Sequence, residues 1–357
     1  MLIIRKFLPT FFLLLISILL NYLVKDNQIA IRSWYTHNVY THLDVFLGKL
    51  TNLFPISIGD LFYAITVFTL LYFTIKYVKT KKYGKMLILY VNSILFFLIT
   101  FQLFWGLNNY KSSLVSEVNL DVNYTKADLD TITEKLINHV NKQHLAITTH
   151  NDSVVKLKKN LHLFNELARA NYNKLPDHLQ KILISNNINE VKSSMYSKLL
   201  SYTGFSGYFN PFTHENQINI EIPTIGMPIT VAHEMAHQLG IASEAEANFY
   251  GYQVMALSED VVYQYAANLY ALKYCLNEYS KENEETYQLL FKKLNLGVQQ
   301  NILESEAFWQ SKRTVSSFFF KHLYGVFLKI NNQKEGIKSY NRFVDILINY
   351  NKKYETI

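Results

Sequence analysis

Two histidines separated by three residues are the feature of this chain that most clearly points to chemistry. The segment His233-Glu234-Met235-Ala236-His237 has the form His-Glu-x-x-His. On a helix, side chains four residues apart share one face, so both imidazoles can reach one metal ion at about 2.0–2.1 Å. In this motif the glutamate takes a proton from the zinc-activated water. We therefore predict that His233 and His237 bind Zn²⁺ and that Glu234 is the general base.

The surroundings of the motif favour a buried metal-site helix. Apart from the two histidines, Glu234 is the only acidic or basic residue between Thr230 and Leu239, and no proline interrupts that stretch. The competing interpretation is a core helix whose two histidines are hydrogen-bonded and bind no metal.

The third ligand must come from the segment after the motif. Gly240 suits the left-handed end of a helix, and Ser243 followed by Glu246 resembles the capping box that begins the next one. Glu244 and Glu246 lie about 200° apart around a helix, so only one can face the metal. If Glu246 caps the helix, Glu244 is free to bind zinc, with Asn248 one turn beyond as a supporting partner. We predict Glu244 as the third ligand, with Glu246 as the alternative. The competing interpretation for both is a solvated acidic helix start, which the helix dipole favours.

Composition limits the other classes of function. The chain has 357 residues, a net charge of +7 and one cysteine, Cys275. A single cysteine excludes a disulfide within the chain and a cysteine-rich zinc site. The net positive charge does not indicate a nucleic-acid-binding protein. No nucleic-acid-binding motif is present, and many lysines in the first part of the chain flank apolar segments. Length leaves room for a membrane region and one sizeable domain.

Three apolar stretches approach or reach the roughly 20 residues that cross a bilayer. We predict three transmembrane helices, over residues 7–24, 56–75 and 86–107. The first has no small-x-small cleavage site before Lys25, so we interpret it as a retained anchor. The second contains Asp60 near its start and has a buried core helix as its competing explanation.

The lysines between the second and third stretches predict the orientation. Five of them lie between Lys76 and Lys85, which marks the cytoplasmic side, as do Arg5 and Lys6 at the N-terminus. After three crossings, the chain emerges on the opposite side. We therefore expect a multi-pass protein of the bacterial inner membrane, with a membrane region over 1–107 and a periplasmic domain over 108–357.

The outer domain is predicted to be mainly helical, with a small β-hairpin before the histidine helix. The hairpin covers residues 206–222, and Ile218, Ile220 and Ile222 alternate with polar residues in its second strand. A strand beside such a helix can form the rim of a cleft and bind an extended peptide by strand addition. A purely structural hairpin is the alternative.

Several further segments belong with the histidine motif. They are the three apolar stretches, Trp105 to Asn108, 201–212, His233 to Gly240, Ser243, Glu244, Glu246 to Phe249 and Ser339 to Arg342. In these segments the chain resembles the bacterial domain-of-unknown-function 3810 family. The resemblance covers most of the chain and implies a membrane-anchored zinc metallopeptidase, but it implies no substrate.

The site is also similar to that of glutamate-type zincins, which pair His-Glu-x-x-His with a downstream Glu-x-x-x-Asp. Here Glu244 to Asn248 has that spacing, with Asn in place of Asp and an unusually short gap after His237. The resemblance to metzincins stops at Gly240, since their third histidine falls on Ser243. The expected fold is therefore a largely helical, zincin-like domain.

Three functions are compatible with these residues. The first is hydrolysis of peptide bonds by a membrane-anchored zinc metallopeptidase, with the bilayer and a peptide or protein substrate as partners. His214, Tyr208 and Tyr252 are candidates for binding the substrate or stabilising the oxyanion, although most tyrosines in so Tyr-rich a chain serve packing. The second is a non-catalytic, zinc-bearing membrane scaffold. The third is a hydrolase of amide bonds in the cell envelope.

Overall fold

The computed structural model describes residues 10–16, 18–19, 22–23, 31–185, 187–331 and 342–357. As predicted, the chain is mainly helical with a small sheet. It divides into two compact units. The first contains the described residues up to Ser112 together with Asn210–Glu215, and the second contains the remainder.

The described part of the first unit consists mainly of helices. Two long apolar helices, α2 and α3, are joined by the short connection Thr80–Lys82, in which Lys81 has a positive φ of 54°. Ser57 caps α2, since its side chain accepts a hydrogen bond from the backbone N–H of Asp60. The helical segments are a π-helix Ile31–Tyr40, α1 Thr41–Thr51, α2 Ile58–Lys79, α3 Tyr83–Phe104 and a 3-10 turn Gly106–Tyr110.

Helices α2 and α3 are each long and apolar enough to cross a membrane. Each has 22 residues, which at 1.5 Å per residue gives about 33 Å against a hydrocarbon thickness of about 30 Å. They correspond to the second and third predicted spans. At the lysine-rich connection both helices extend three to four residues beyond the predicted limits, because helical hydrogen bonding persists after hydropathy falls. At the other ends, α2 begins two residues later than predicted, where Ser57 caps it, and α3 ends three residues earlier, before the 3-10 turn.

The prediction of three spans is corrected to two among the residues that the structure describes. The first predicted span, 7–24, is described only in three fragments, 10–16, 18–19 and 22–23, and its other residues lie outside the described part of the chain. No helix among its described fragments has the length needed for a crossing.

Asn210–Glu215 belongs to the first unit through specific contacts with α2 and α3. The Glu215 carboxylate accepts hydrogen bonds from the backbone N–H groups of Ile58 (3.1 Å) and Gly59 (2.5 Å). A carboxylate is favoured there by the unpaired N–H groups and the dipole at a helix start. The Phe212 ring packs against Phe62 and Phe97, with centroids 5.4 and 5.3 Å away.

The second unit holds the histidine motif. Its helices and strands, in chain order, are α4 Leu114–Glu117, α5 Lys126–Thr148, α6 Leu161–Tyr172, α7 Asp177–Gln180, β1 Val191–Ser193, α8 Ser197–Thr203, β2 Gly207–Asn210, β3 Glu215–Ile218, a 3-10 turn Thr224–Gly226, α9 Met227–Gln238, α10 Glu244–Ala256, α11 Val261–Glu282, α12 Glu284–Phe291, α13 Leu296–Ser311, α14 Val315–Ile330 and α15 Arg342–Tyr354.

The sheet contains the two strands of the predicted hairpin as neighbours, β2 and β3, but it has a third strand and different strand bounds. Its strand order is β1-β3-β2, and β1 pairs with β3 in parallel, with Val191 opposite Asn216. Strand β3 is the central strand and is buried along its whole length, so the expected alternation of buried and exposed residues is absent. It also ends at Ile218 instead of residue 222. Asn219 follows the end of β3, and its side-chain amide donates hydrogen bonds to Ser201 Oγ and to the Phe205 carbonyl oxygen.

Helix α9 lies in the core of the second unit, packed against α6, α10 and α11. Nearly all of its residues are buried, which explains why its sequence is apolar around the motif. Gly251 of α10 permits a close approach to α9, since a Cβ there would lie 3.0 Å from the Ile229 carbonyl oxygen and 3.3 Å from the His233 nitrogen. This contact fixes the spacing of the two helices that carry the motif and Glu244.

Candidate metal centre

The chain reverses sharply between α9 and α10. Gly240 has a φ of +84°, the left-handed conformation predicted for it, and Ile241 donates its N–H to the Ala236 carbonyl at 3.0 Å. A Cβ on Gly240 would also overlap Ile184. Ser243 then caps α10 by accepting a hydrogen bond from the Glu246 N–H at 3.5 Å. The reversal brings Glu244 back to the histidines.

His233, His237 and Glu244 form a close triangle of donor atoms. His233 Nε2 and His237 Nε2 lie 3.1 Å apart, and Glu244 Oε2 lies 3.4 and 3.6 Å from them, respectively. Ligands of a tetrahedral zinc ion, bound at about 2.0–2.1 Å, are separated by about 3.3–3.4 Å. All three side chains are 7–12% exposed. The spacing, chemistry and burial of these donors fit a zinc ion.

Polar groups next to the two rings support the histidines. His237 Nδ1 lies 2.7 Å from the Ile241 carbonyl oxygen and donates a hydrogen bond to it, so Nε2 is the ring nitrogen available to bind a metal. The Asn248 side chain acts to raise the pKa of His233, and Asn248 Oδ1 accepts a hydrogen bond from the Tyr270 hydroxyl at 2.7 Å. Partners of this kind are typical of metal-binding histidines.

Charge interactions keep Glu244 ionised. Burial by itself raises the pKa of a carboxyl, but the neighbouring His237 and His233 hold the pKa of Glu244 well below its ordinary value. Burial likewise opposes protonation of His237, yet the Glu244 charge raises the pKa of His237 to about 9. At His233 burial prevails and lowers the pKa. The centre therefore contains a buried anion that favours a cation.

Glu234 lies beside this triangle in a different environment. Its donor atom, together with those of His233 and His237, forms a group within 4.8 Å. Burial raises the pKa of Glu234 to about 8, and the negative Glu244 also raises it, while His237 lowers it. Among the described residues, Glu234 Oε2 is buried without a hydrogen-bond partner. A buried oxygen without a partner is expected where an additional ligand or water binds.

Strand β2 reaches the centre through its first residue. A Cβ on Gly207 would lie 2.6 Å from Glu234 Oε1 and 2.7 Å from the Gln217 carbonyl oxygen. Only glycine fits between Glu234 and β3 without displacing one of them. Strand β2 is also an edge strand of the sheet.

A residue not identified from the sequence completes the surroundings of Glu244. Tyr324 of α14 donates its hydroxyl to Glu244 Oε1 at 2.5 Å, which leaves Oε2 directed at the histidines. The Tyr324 ring packs edge-on against Phe205, with centroids 4.9 Å apart. The sequence could not predict this contact, because Tyr324 and Glu244 are 80 positions apart and helical spacing relates only near neighbours. Nothing else distinguishes Tyr324 from the other tyrosines among the 26 in the chain.

The alternative ligand Glu246 is directed elsewhere. Its Oε1 accepts a hydrogen bond from the backbone N–H of Leu114, at the start of α4, at 2.9 Å. The structure thus brings Glu244, and not Glu246, to the two histidines.

The three residues predicted as candidates for oxyanion stabilisation lie in different structural environments. Tyr208 follows Gly207 on β2 and is half-buried. Tyr252 is buried in the core, where its hydroxyl donates to Asn268 Oδ1 at 3.4 Å. His214 lies in the first unit, with its Nδ1 3.3 Å from the buried Asp44 carboxylate.

Comparison with known proteins agrees with the resemblance found in the motifs. The model of a family described as a protein of unknown function, DUF3810, matches residues 35–348. No curated protein and no solved structure matches the chain. Because the family match extends over most of the chain, including both apolar helices and the histidine motif, the protein belongs to the DUF3810 family.

Proposed function

We propose that the chain is a membrane-anchored, zinc-dependent metallopeptidase. The observation that carries the proposal is the convergence of His233, His237 and Glu244 to distances of 3.1–3.6 Å, next to the buried, unpartnered Glu234 oxygen. Two histidines and one carboxylate leave a fourth position open, the arrangement of catalytic zinc sites, whereas structural sites have four protein ligands.

The three donors would hold zinc, which when bound acts as a Lewis acid on the scissile carbonyl and on the attacking water. Glu234 would accept the proton of that water and later pass it to the leaving amine. Its raised pKa of about 8 suits both steps, because a group that titrates near neutral pH can accept and donate a proton.

Strand β2 supports a peptide as the substrate. It is the edge strand next to Glu234, and its first residue, Gly207, contacts that carboxylate. An extended peptide that pairs with this edge would run beside the proposed base. Tyr208 on the same strand remains a candidate for contacting the substrate.

The α2–α3 pair supports the proposed location. Its connection contains Lys81 and Lys82, with Lys76, Lys79 and Lys85 close by, and by the positive-inside rule these lysines favour a cytoplasmic position for this turn. The chain after α3 would then lie in the periplasm, whatever precedes α2. We accordingly propose the bacterial inner membrane as the location.

Substitution of Glu234 tests the function. We expect purified full-length protein to contain one zinc ion and to cleave quenched fluorescent peptides. Glu234→Gln should keep the zinc and lose about 10²–10⁴-fold in rate, the usual contribution of general-base catalysis. His233→Ala should lose both zinc and cleavage. Full cleavage by Glu234→Gln would exclude the general-base role, and wild-type protein that binds zinc but cleaves no peptide would favour the scaffold.

A further inference from the structure

Helix α14 exposes large apolar side chains to an extent that is unusual for a protein surface. Val315 is 89% exposed, Phe318 77% and Ile330 70%. The other exposed apolar residues of the helix are Phe319, Phe320, Leu323, Val326 and Phe327. Contiguous exposed apolar surface of this kind marks a binding site for a protein or a membrane.

Five of these eight exposed residues share one face of α14. At about 100° per residue, Val315, Phe319, Leu323, Val326 and Ile330 fall within an arc of about 80°. We call these five residues the apolar face of α14. Tyr324 and Leu328 lie on the opposite side, where Tyr324 bonds Glu244 and Leu328 is 2% exposed.

The charges of this segment indicate what covers the apolar face. No acidic residue occurs between Ala307 and Lys334, while the same stretch contains Lys312, Arg313, Lys321 and Lys329. Lys329 borders the apolar face, and Lys312 and Arg313 lie just before the first turn of α14. Basic residues placed beside an apolar face are complementary to anionic lipid headgroups. The long lysine stems allow their ammonium groups to stay at headgroup level while neighbouring apolar side chains enter the acyl region.

The length and sequence of α14 exclude a crossing. Sixteen residues span only about 24 Å, less than the hydrocarbon thickness of about 30 Å. Lys321 and His322 also lie in the middle of the helix. A helix of this kind lies in the plane of the interface.

We propose that α14 is an interfacial helix whose apolar face inserts into the surface of an anionic bilayer. The proposal rests on the membrane anchoring proposed above for α2 and α3, but not on zinc or catalysis. Because Tyr324, on the other side of the same helix, bonds Glu244, the metal centre would lie about one helix diameter, roughly 10–12 Å, from the bilayer surface.

Spin labels on full-length protein test this. Single cysteines replace Phe319 on the apolar face, Leu289 on α12 and Ile94 on α3, which are 57%, 60% and 57% exposed, respectively. The natural Cys275 is fully buried, so labelling of the folded chain is confined to the introduced site. The protein is reconstituted into vesicles of phosphatidylcholine with phosphatidylglycerol, and collisions with oxygen and with a water-soluble nickel complex are measured.

We expect the labels at Phe319→Cys and Ile94→Cys to collide preferentially with oxygen, which concentrates in lipid, and the label at Leu289→Cys to collide preferentially with nickel. A label at Phe319→Cys that behaves like the one at Leu289→Cys, while Ile94→Cys reports lipid, would overturn this proposal alone. Protection of Phe319→Cys from both reagents would indicate a protein partner and would also overturn it. If Ile94→Cys reports water, the membrane anchoring itself fails.

Discussion

At the scale of single residues, Glu244 and Glu246 illustrate how two similar carboxylates acquire different roles. Both lie in the first turn of α10 and both are buried. Glu244 faces two imidazoles, whereas Glu246 accepts the Leu114 N–H. The difference follows from the helical rotation between them, about 200°.

Alanine substitution of the two carboxylates should therefore affect different properties, zinc binding for Glu244 and stability for Glu246. We expect Glu244→Ala to bind no zinc, since one of the three proposed ligands is removed. Glu246→Ala should keep zinc but lose roughly 1–3 kcal/mol of unfolding free energy, because the buried Leu114 N–H loses its acceptor. Metal content by mass spectrometry and denaturant unfolding measure the two effects. Zinc retained by Glu244→Ala and lost by Glu246→Ala would reverse the ligand assignment.

Tyr324 positions the Glu244 carboxylate and should affect zinc affinity without binding the metal. Removal of a partner of this kind commonly costs 10–100-fold in metal affinity. We expect Tyr324→Phe to bind zinc about that much more weakly in a competition titration with a chelator, while retaining its ring packing on Phe205. Tyr202→Phe, at a 42% exposed tyrosine on α8, is the control. Equal affinity in both variants would rule out the positioning role.

Substitution of Gly207 by alanine tests whether the packing around Glu234, the proposed base, is needed for cleavage. A methyl group there would press on Glu234 Oε1, so we expect Gly207→Ala to cleave peptide more slowly with zinc still bound, and to lose about 1–3 kcal/mol of stability through overpacking. Gly226→Ala is a matched control, because a Cβ on Gly226 meets no atom within 4 Å. Unchanged cleavage by Gly207→Ala would mean that the contact does not matter for Glu234.

At the scale of secondary-structure elements, the centre connects two helices. Helix α9 supplies both histidines and α10 supplies the carboxylate, and the reversal at Gly240 and the close contact at Gly251 hold the helices together. A bound cation would add a further connection between them, because it binds only the folded arrangement.

Removal of metal should consequently lower the stability of the whole domain. Zinc at about 100 times its dissociation constant would contribute about 2.7 kcal/mol. We expect a chelator to lower the Tm of wild-type protein, and added zinc to restore it. The Tm of Glu244→Ala should respond to neither treatment. A wild-type Tm that is insensitive to both would argue against a metal at this position.

At the scale of the whole molecule, the lysines around Thr80–Lys82 define a testable orientation. We expect a cysteine at Lys81 to be protected from a membrane-impermeant maleimide in intact spheroplasts, because it lies in the cytoplasm, and one at Leu289 on α12 to be labelled. Lysis should expose both sites. Labelling of Lys81→Cys before lysis would invert the proposed topology.

Much of the centre was predictable because it depends on short-range geometry. The spacing of His233 and His237, the left-handed Gly240 and the cap at Ser243 all follow from rules that operate within a few residues. The apolar spans α2 and α3 follow from length and composition, although only two, and not three, are found in the part of the chain that the structure describes. The alternation expected in residues 217–222 was wrong because β3 is a central strand and is buried along its length.

The motif, the helix that carries it and the helix reversal could all be predicted, since each depends on residues that are neighbours along the chain. Four other contacts became visible only in the folded molecule: Tyr324 donates a hydrogen bond to Glu244, the Leu114 N–H donates one to Glu246, Gly207 packs against Glu234, and Asn210–Glu215 belongs to the first unit. These contacts join residues far apart in the sequence, with no periodicity to mark them. They arise only when packing of the hydrophobic core brings distant elements together.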